Sequence, residues 1–218
     1  MNIEQNPYAA PTADLSDAGA EWLHGDSPGL AKTSQGLGLV YSGIIIVILS
    51  LLCTMAGSVV ESLLYVSMTG LVIGALLMFI GPLLCLAVPP ETNAKGLIVA
   101  SVIFQLINTV MVVVSMFSIL PMMQGIGQLF GFISAVLFVL FMRRLALFVG
   151  RQDLADRARN ILILGAITVV VSMLGLFSLI VPAMGMLFLG VGVLGIIMFV
   201  MYANLVNYLR LALKPSSM

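Results

Sequence analysis

Residues 96–142 read GLIVASVIFQLINTVMVVVSMFSILPMMQGIGQLFGFISAVLFVLFM and contain no charged side chain. A membrane-spanning helix needs about 20 apolar residues, because the hydrocarbon core is roughly 30 Å thick and the helix rises about 1.5 Å per residue. This run is too long for one span, and Pro121 supplies a break near its middle. The stretch therefore predicts two consecutive membrane helices, at about 96–118 and 123–148.

The rest of the chain divides in the same way. Two uncharged runs lie on either side of Glu61, and Pro89-Pro90 ends the second because proline lacks an amide donor and restricts the residue before it. The last uncharged run, 160–209, breaks at Pro182. The sequence predicts an all-α integral membrane bundle of six transmembrane helices, built as three hairpins within residues 35–213. The four further helices are expected at about 36–57, 66–88, 156–180 and 184–211.

Composition supports lipid as the main solvent of this chain. Hydrophobic residues make up 61% of the 218 and charged residues only 8%. A soluble domain carries roughly 25% charged residues, so the apolar surplus must face the bilayer. No stretch is basic enough to indicate nucleic-acid binding.

The basic residues predict the orientation. All nine Lys and Arg fall in segments that the six spans place on one side, and the connections 58–65, 119–123 and 181–183 hold none. Because basic residues are retained in the cytoplasm, both termini are expected there. Residues 1–34, rich in Pro, Gly, Ala and Asp, are predicted to form a flexible cytoplasmic tail.

The connection between the fourth and fifth spans contains residues that predict helix ends and an ion pair. Gly150 is expected to cap one helix, and Asp153 is expected to cap the next and to pair with Arg157 four residues on. Its arginines would lie near anionic lipid headgroups. They determine topology or, as the alternative, recognise a specific lipid or protein. These arginines are Arg143, Arg144, Arg151, Arg157 and Arg159.

Catalytic groups are scarce. The single histidine, His24, lies in the tail, and no Asp or Glu falls at mid-bilayer depth. Haem, zinc and Ser-His sites within the membrane are therefore not expected, nor is a titratable proton carrier. Cys53 and Cys85 are predicted too far apart in depth for a disulfide. The prediction is a protein that is not an enzyme and has no cofactor or metal.

Polar residues inside the predicted spans give the one lead to a site. An amide in lipid is unfavourable unless it is paired, so these side chains should point inward. Two interpretations stay open: hydrogen bonds that join helices, or a polar pocket for a small neutral solute. The candidates are Gln105, Asn108, Gln124 and Gln128.

Small residues mark expected helix contacts. Residues 190–195 match GxGxxG but follow no strand, so the dinucleotide-binding interpretation fails on context. Close helix approach explains this string better, as it does Gly70 with Gly74 and Gly127 with Gly131. These contacts are expected within one chain, with a homo-oligomer as the alternative.

Three segments resemble a known group. They read NPYAAPTADL at 6–15, CLAVPPETNAKGLI at 85–98 and RRLALFVGRQDLADRAR at 143–159. Together they resemble uncharacterised bacterial multi-pass membrane proteins with an NPYxxP-type N-terminal tail. The resemblance implies a bacterial inner membrane, and it carries no activity and no functional residues.

Two functions follow as expectations. The first is a non-catalytic scaffold or accessory subunit in the bilayer, partnered by lipid and by a membrane protein or a second copy. The second is a small carrier or channel for a neutral or weakly polar solute. Convergence of the four buried amides on one cavity would favour the second, and amides that point to separate helix interfaces would remove it.

Overall fold

The computed structural model describes residues 28–57, 62–117, 121–176 and 185–214, and within these ranges it contains helices and no strand. A short 3₁₀ turn, Pro90–Thr92, lies between the second and third of six long helices. These helices are α1 (Pro28–Gly57), α2 (Ser62–Cys85), α3 (Lys95–Phe117), α4 (Pro121–Phe148), α5 (Gln152–Leu176) and α6 (Gly185–Ala212).

Five of the six helices are long and apolar enough to cross a membrane, which identifies the chain as a helical membrane protein. The exception is α5. Its first eight residues include Asp153, Asp156, Arg157 and Arg159.

Helix α1 begins at Pro28, eight residues before the predicted start. The last residues assigned to the tail are therefore helical. Proline is favoured at the first helical position because its missing amide hydrogen has no partner there. Two hydroxyls add support: Thr33 Oγ1 donates to Gly29 O at 2.8 Å, and Ser34 Oγ donates to Arg210 O of α6 at 3.1 Å.

The prolines at 89 and 90 end α2 earlier than predicted. The helix stops at Cys85, and the amides of Leu86, Ala87 and Val88 each bond three residues back, as in a tightened last turn. Thr92 Oγ1 then donates to Pro89 O at 2.8 Å and accepts from the Ala94 amide at 3.2 Å.

Gly150 ends α4 as predicted. Its φ is +74°, its amide bonds to Leu147 O at 3.1 Å, and the Arg151 amide bonds to Ala146 O at 2.9 Å. These two bonds form a Schellman motif. The predicted pairing of Asp153 with Arg157 is wrong. Asp153 is instead held by Arg151, which donates from Nε at 2.9 Å and from Nη2 at 3.0 Å.

Helices α1 and α2 meet along a seam of small residues. A Cβ added to Gly36 would lie 2.6 Å from Gly81 O, and one on Gly43 would lie 2.8 Å from Gly74 O. The two backbones can approach this closely only because neither helix carries a side chain there. Farther along, Ser67 Oγ donates to Ser50 O at 2.9 Å. The α1 members of the seam, Gly29, Gly36, Gly43 and Ser50, recur at seven-residue intervals.

The apolar core gathers at one end of the bundle. It joins residues such as Leu37 of α1, Ile98 of α3, Phe141 of α4, Leu154 of α5 and Leu205 of α6. All nine Lys and Arg lie at this end. We call residues 28–44, 78–102, 134–162 and 201–214 the basic half. We call residues 45–57, 62–77, 103–117, 121–133, 163–176 and 185–200, which carry no charge, the uncharged half.

Helix α6 contacts α1 within the basic half, so the first and last helices are neighbours. The guanidinium of Arg210 lies 5.6 Å from the centre of the Tyr41 ring, a cation–π distance. With the Ser34–Arg210 bond, this contact joins parts of the chain that are far apart in sequence.

Candidate functional site

The candidate site begins where α3 meets α4. Ser101 Oγ donates to Ser134 O at 2.9 Å, and Ser134 Oγ donates to Ser101 O at 2.8 Å. Both serines are buried. One turn away, the rings of Phe104 and Phe130 stack with centroids 5.7 Å apart. The reciprocal bonds bring the two helices close together at mid-length.

Gln105 and Asn108 continue along α3 from this contact. Gln105 Nε2 donates to Met78 O of α2 at 3.3 Å, which joins α3 to the first hairpin. Asn108 faces α4 at Gly127 and Gly131, and a Cβ on Gly131 would lie 3.0 Å from Asn108 Nδ2. Glycine thus leaves the space that the Asn108 amide occupies.

Gln105 and Asn108 both line one cavity of about 190 Å³. The cavity lies among α1, α2, α3, α4 and α6, so it is a feature of the whole bundle. Its polar groups come from Ser101, Gln105, Asn108, Ser134 and Tyr202, and its apolar wall includes Val40, Pro82 and Phe138. Within the part of the chain that the structure describes, the Asn108 side chain makes no hydrogen bond.

A second cavity, of about 260 Å³, adjoins the first. Met78, Ala135 and Tyr202 line both. Apart from the Tyr202 hydroxyl, the side chains around the second cavity are apolar. They include Phe132, Val136, Ile161, Leu162, Met198 and Phe199. We call the first the polar cavity and the second the apolar cavity.

The four amide side chains predicted as site candidates therefore do not all lie at one place in the structure. Gln105 and Asn108 come together, whereas Gln128 is exposed and does not line the polar cavity. The Gln124 side chain lies outside the described residues. Ser101, Ser134 and Tyr202 were missed by sequence reasoning. The spacing of small and polar residues could have identified the two serines. On α3, Ser101 lies seven residues before Asn108, and on α4, Ser134 lies seven residues after Gly127, so each pair falls on one face of its helix.

The predicted arginines surround the α4–α5 connection and are exposed. Arg159 lies 3.6 Å from Asp156, and the Arg157 guanidinium lies 5.0 Å from the centre of the Tyr208 ring. Hydrogen bonds from Arg151 are the main cause of a lowered pKa at Asp153. Arg143 and Arg144 project from the last turns of α4. The cluster offers a positive surface at the end of the bundle rather than a closed pocket.

The two cysteines stay unpaired, as their predicted depths require. Cys85 is buried against α1, with its Sγ 3.8 Å from Thr33 O. Cys53 is half-buried in α1, in the uncharged half.

Comparison with known proteins finds no match: no family model, no curated protein and no solved structure is similar to this chain. The case for a function therefore depends on the geometry above.

Proposed function

We propose that the chain spans a bacterial inner membrane six times, with both termini in the cytoplasm. The five apolar helices and the collection of every Lys and Arg in the basic half support this topology. The bacterial inner membrane follows from the resemblance of the tail and the two connections.

The sixth span in this proposal is α5. Its charged residues occupy the first turns, where headgroups can solvate them. From Asn160 to Leu176 the helix is uncharged, and these residues extend roughly 25 Å at about 1.5 Å each. That length approaches the roughly 30 Å of the hydrocarbon core.

Reporter fusions test the topology. An alkaline phosphatase domain placed after Ser62, Met123 or Ala183 should be active, because each site would lie outside the cytoplasm. A fluorescent protein that matures only in the cytoplasm should be bright after Lys95, Arg151 and Lys214. Cytoplasmic signal from any of the first three sites would contradict the six-span map.

Within this topology we assign the bundle to binding and moving a small neutral or weakly polar solute. The observation that carries the assignment is the convergence of Gln105 and Asn108, with Ser101 and Ser134, on the polar cavity. An amide at mid-membrane depth is unfavourable without a partner, and Asn108, whose side chain bonds no described residue, lines that cavity. The sequence alone favours a scaffold, and the shared cavity shifts the preference.

Flux measurements test this function. Proteoliposomes shrunk by glycerol or urea should re-swell faster than protein-free liposomes, as followed by light scattering. The double change Gln105→Leu and Asn108→Leu should return the rate to the protein-free value. Gln128→Leu is the matched control, because that amide is exposed, and it should keep the original rate. Equal rates with and without the protein would remove the solute-carrier function.

A scaffold or accessory subunit is the second candidate. Several hydroxyls already bond a neighbouring helix, as Ser101, Ser134 and Ser67 do. Such bonds hold a bundle together without a ligand. Mild-detergent purification from native membranes tests this candidate: a stoichiometric membrane partner supports it, and a monomer with solute flux contradicts it.

A further inference from the structure

The polar and apolar cavities are arranged as the two ends of one site. Met78, Ala135 and Tyr202 belong to both linings, so a molecule that fills one cavity contacts the residues bordering the other. Binding sites for small molecules occupy roughly 300–1,000 Å³. Each cavity alone falls below that range, at about 190 and 260 Å³. A ligand of ordinary size would occupy both.

The chemistry of the linings excludes a charged ligand. No Lys, Arg, His, Asp or Glu lines either cavity. Along α4, the first cationic residue beyond Ala135 is Arg143, eight residues on, about 12 Å at a rise of roughly 1.5 Å per residue. An ion held at this depth would lack a counter-ion, which is strongly unfavourable in a membrane interior.

The lining of the polar cavity instead contains neutral hydrogen-bonding groups, and some of them bond no described residue. Gln105 Nε2 donates to Met78 O, while its Oε1 bonds no described residue. Asn108 contributes two donors and an acceptor that bond no described residue. Bilayer headgroups do not reach mid-helix depth, so a polar group there gains hydrogen bonds only from other protein groups or from a bound molecule.

We infer that the two cavities together bind a neutral single-chain amphiphile, with its uncharged polar head at Asn108 and Gln105 and its hydrocarbon chain in the apolar cavity. This inference names the ligand class for the solute-binding function and rests on it. The head hydrogen-bonds the Asn108 amide and the Oε1 of Gln105, neither of which bonds a described residue. The chain packs against Phe132, Ile161 and Met198. A hydroxylated head such as glycerol has the donors and acceptors that the amides match.

Methionine NMR in lipid nanodiscs provides the test. The methyl groups of Met78 and Met198 report on the cavities, and that of Met142, buried in the core, serves as an internal reference. The probes share a ten-carbon chain: monodecanoylglycerol is neutral, decanoate is anionic and decyltrimethylammonium is cationic. We expect the neutral probe to shift Met78 and Met198 saturably, with an apparent Kd at least tenfold tighter than either charged probe.

Two variants separate binding in the cavities from partitioning into lipid. Ala135→Phe places a ring at the junction of the cavities and should abolish the saturable shift. Ile133→Phe, two residues away on the exposed surface and outside both linings, should leave it intact. Asn108→Leu should weaken binding about tenfold, the effect of one or two lost hydrogen bonds.

Three results would overturn the inference. These are a shift that never saturates, equal affinity for the charged probes, or an Ala135→Phe variant that binds as the original does. If glycerol flux persists while monodecanoylglycerol fails to bind, the amphiphile is the wrong ligand class and the carrier function stands. If both fail, the carrier function falls as well.

Discussion

The basic half and the uncharged half of this bundle are held together by different residues. The largest fully buried side chains, among them Phe141, Met142 and Leu145, all lie in the basic half. In the uncharged half, every buried residue that the structure describes is glycine or serine: Ser50, Ser67, Gly74, Gly127 and Gly165. Large apolar side chains there point outward, as Tyr65 and Val66 do at 73% and 60% exposed.

The packing of the uncharged half is typical of helices in lipid. Lipid tails are as apolar as leucine, so burying leucine among them gains little, and helices associate by close backbone approach and hydrogen bonds. The basic half carries the charged side chains, which require water nearby, and where water competes, burying large side chains regains its ordinary benefit.

Leucines at the two ends of α4 give the largest expected contrast. Leu145 is fully buried and Leu129 is 62% exposed. Leu145→Ala should lower the free energy of unfolding by about 2–5 kcal/mol, because it leaves a cavity in the core. Leu129→Ala should leave it nearly unchanged. Denaturant titration in mixed micelles measures both, and equal losses would mean that both halves pack alike.

Glycines provide the second contrast. Gly81→Ala places a Cβ 2.7 Å from Gly36 O and against Val40 Cγ2, so α1 and α2 must separate. A loss of about 1–3 kcal/mol is expected, as for other overpacked sites. Gly195→Ala on α6 meets no atom within 4 Å and should be neutral or stabilising by up to about 1 kcal/mol. Thermal unfolding in detergent compares the two variants, and a neutral Gly81→Ala would contradict the close seam.

Removing one hydroxyl should have a smaller effect. Ser134→Ala loses the donation to Ser101 O and keeps the reciprocal bond, so about 0.6 kcal/mol is expected, the average for such bonds in membranes. Ser115→Ala is the control, because that hydroxyl bonds Val112 O within its own helix. The same denaturant titration resolves the pair. A larger loss for Ser115→Ala would show that the α3–α4 hydroxyl contact is not what stabilises this hairpin.

The smallest effect is expected at the α4–α5 connection. Arg151 donates two hydrogen bonds to Asp153 and lowers its pKa. The contact therefore stabilises the connection above the ordinary pKa of aspartate, and this contribution disappears as the pH falls through the lowered value. Both side chains are about half exposed, so the gain is small.

Carboxyl NMR during a pH titration measures that shift. Arg151→Gln should raise the pKa of Asp153 towards its ordinary value, whereas Arg159→Gln, which contacts Asp156 instead, should leave it unchanged. An Asp153 that titrates normally in the original protein would show that the pair does not persist in solution.

The sequence predicts where the helices lie along the chain better than it predicts which side chains of different helices contact each other. Apolar runs and prolines predict where helices begin and end, because both act within a few residues of the chain. The Gly150 cap is likewise local, and it is confirmed. Which side chains meet depends on how helices rotate against each other, and periodicity does not fix that rotation. On α4, Gln128 is thus exposed, whereas Gly131 and Ala135 of the same helix line the polar cavity.

The error at Asp153 has a similar cause. Spacing of four residues allows a pair with Arg157, but Arg151 lies just before the helix, where its guanidinium reaches both carboxylate oxygens. Arg157 instead lies over Tyr208 of α6, a partner that no local rule indicates. The seven-residue seam of α1 could have been recognised in the sequence, since Gly29, Gly36, Gly43 and Ser50 are regularly spaced.

The Ser34–Arg210 hydrogen bond has a consequence for biosynthesis. During translation α1 and α2 can pair as soon as both have left the ribosome, because their glycine seam needs no later segment. The junction of α1 with α6 has to wait for nearly the whole polypeptide to be made. Until then, the surface of α1 that will contact α6 has no partner in the nascent protein. A chaperone or quality-control protease that acts on unfinished products could still reach that surface.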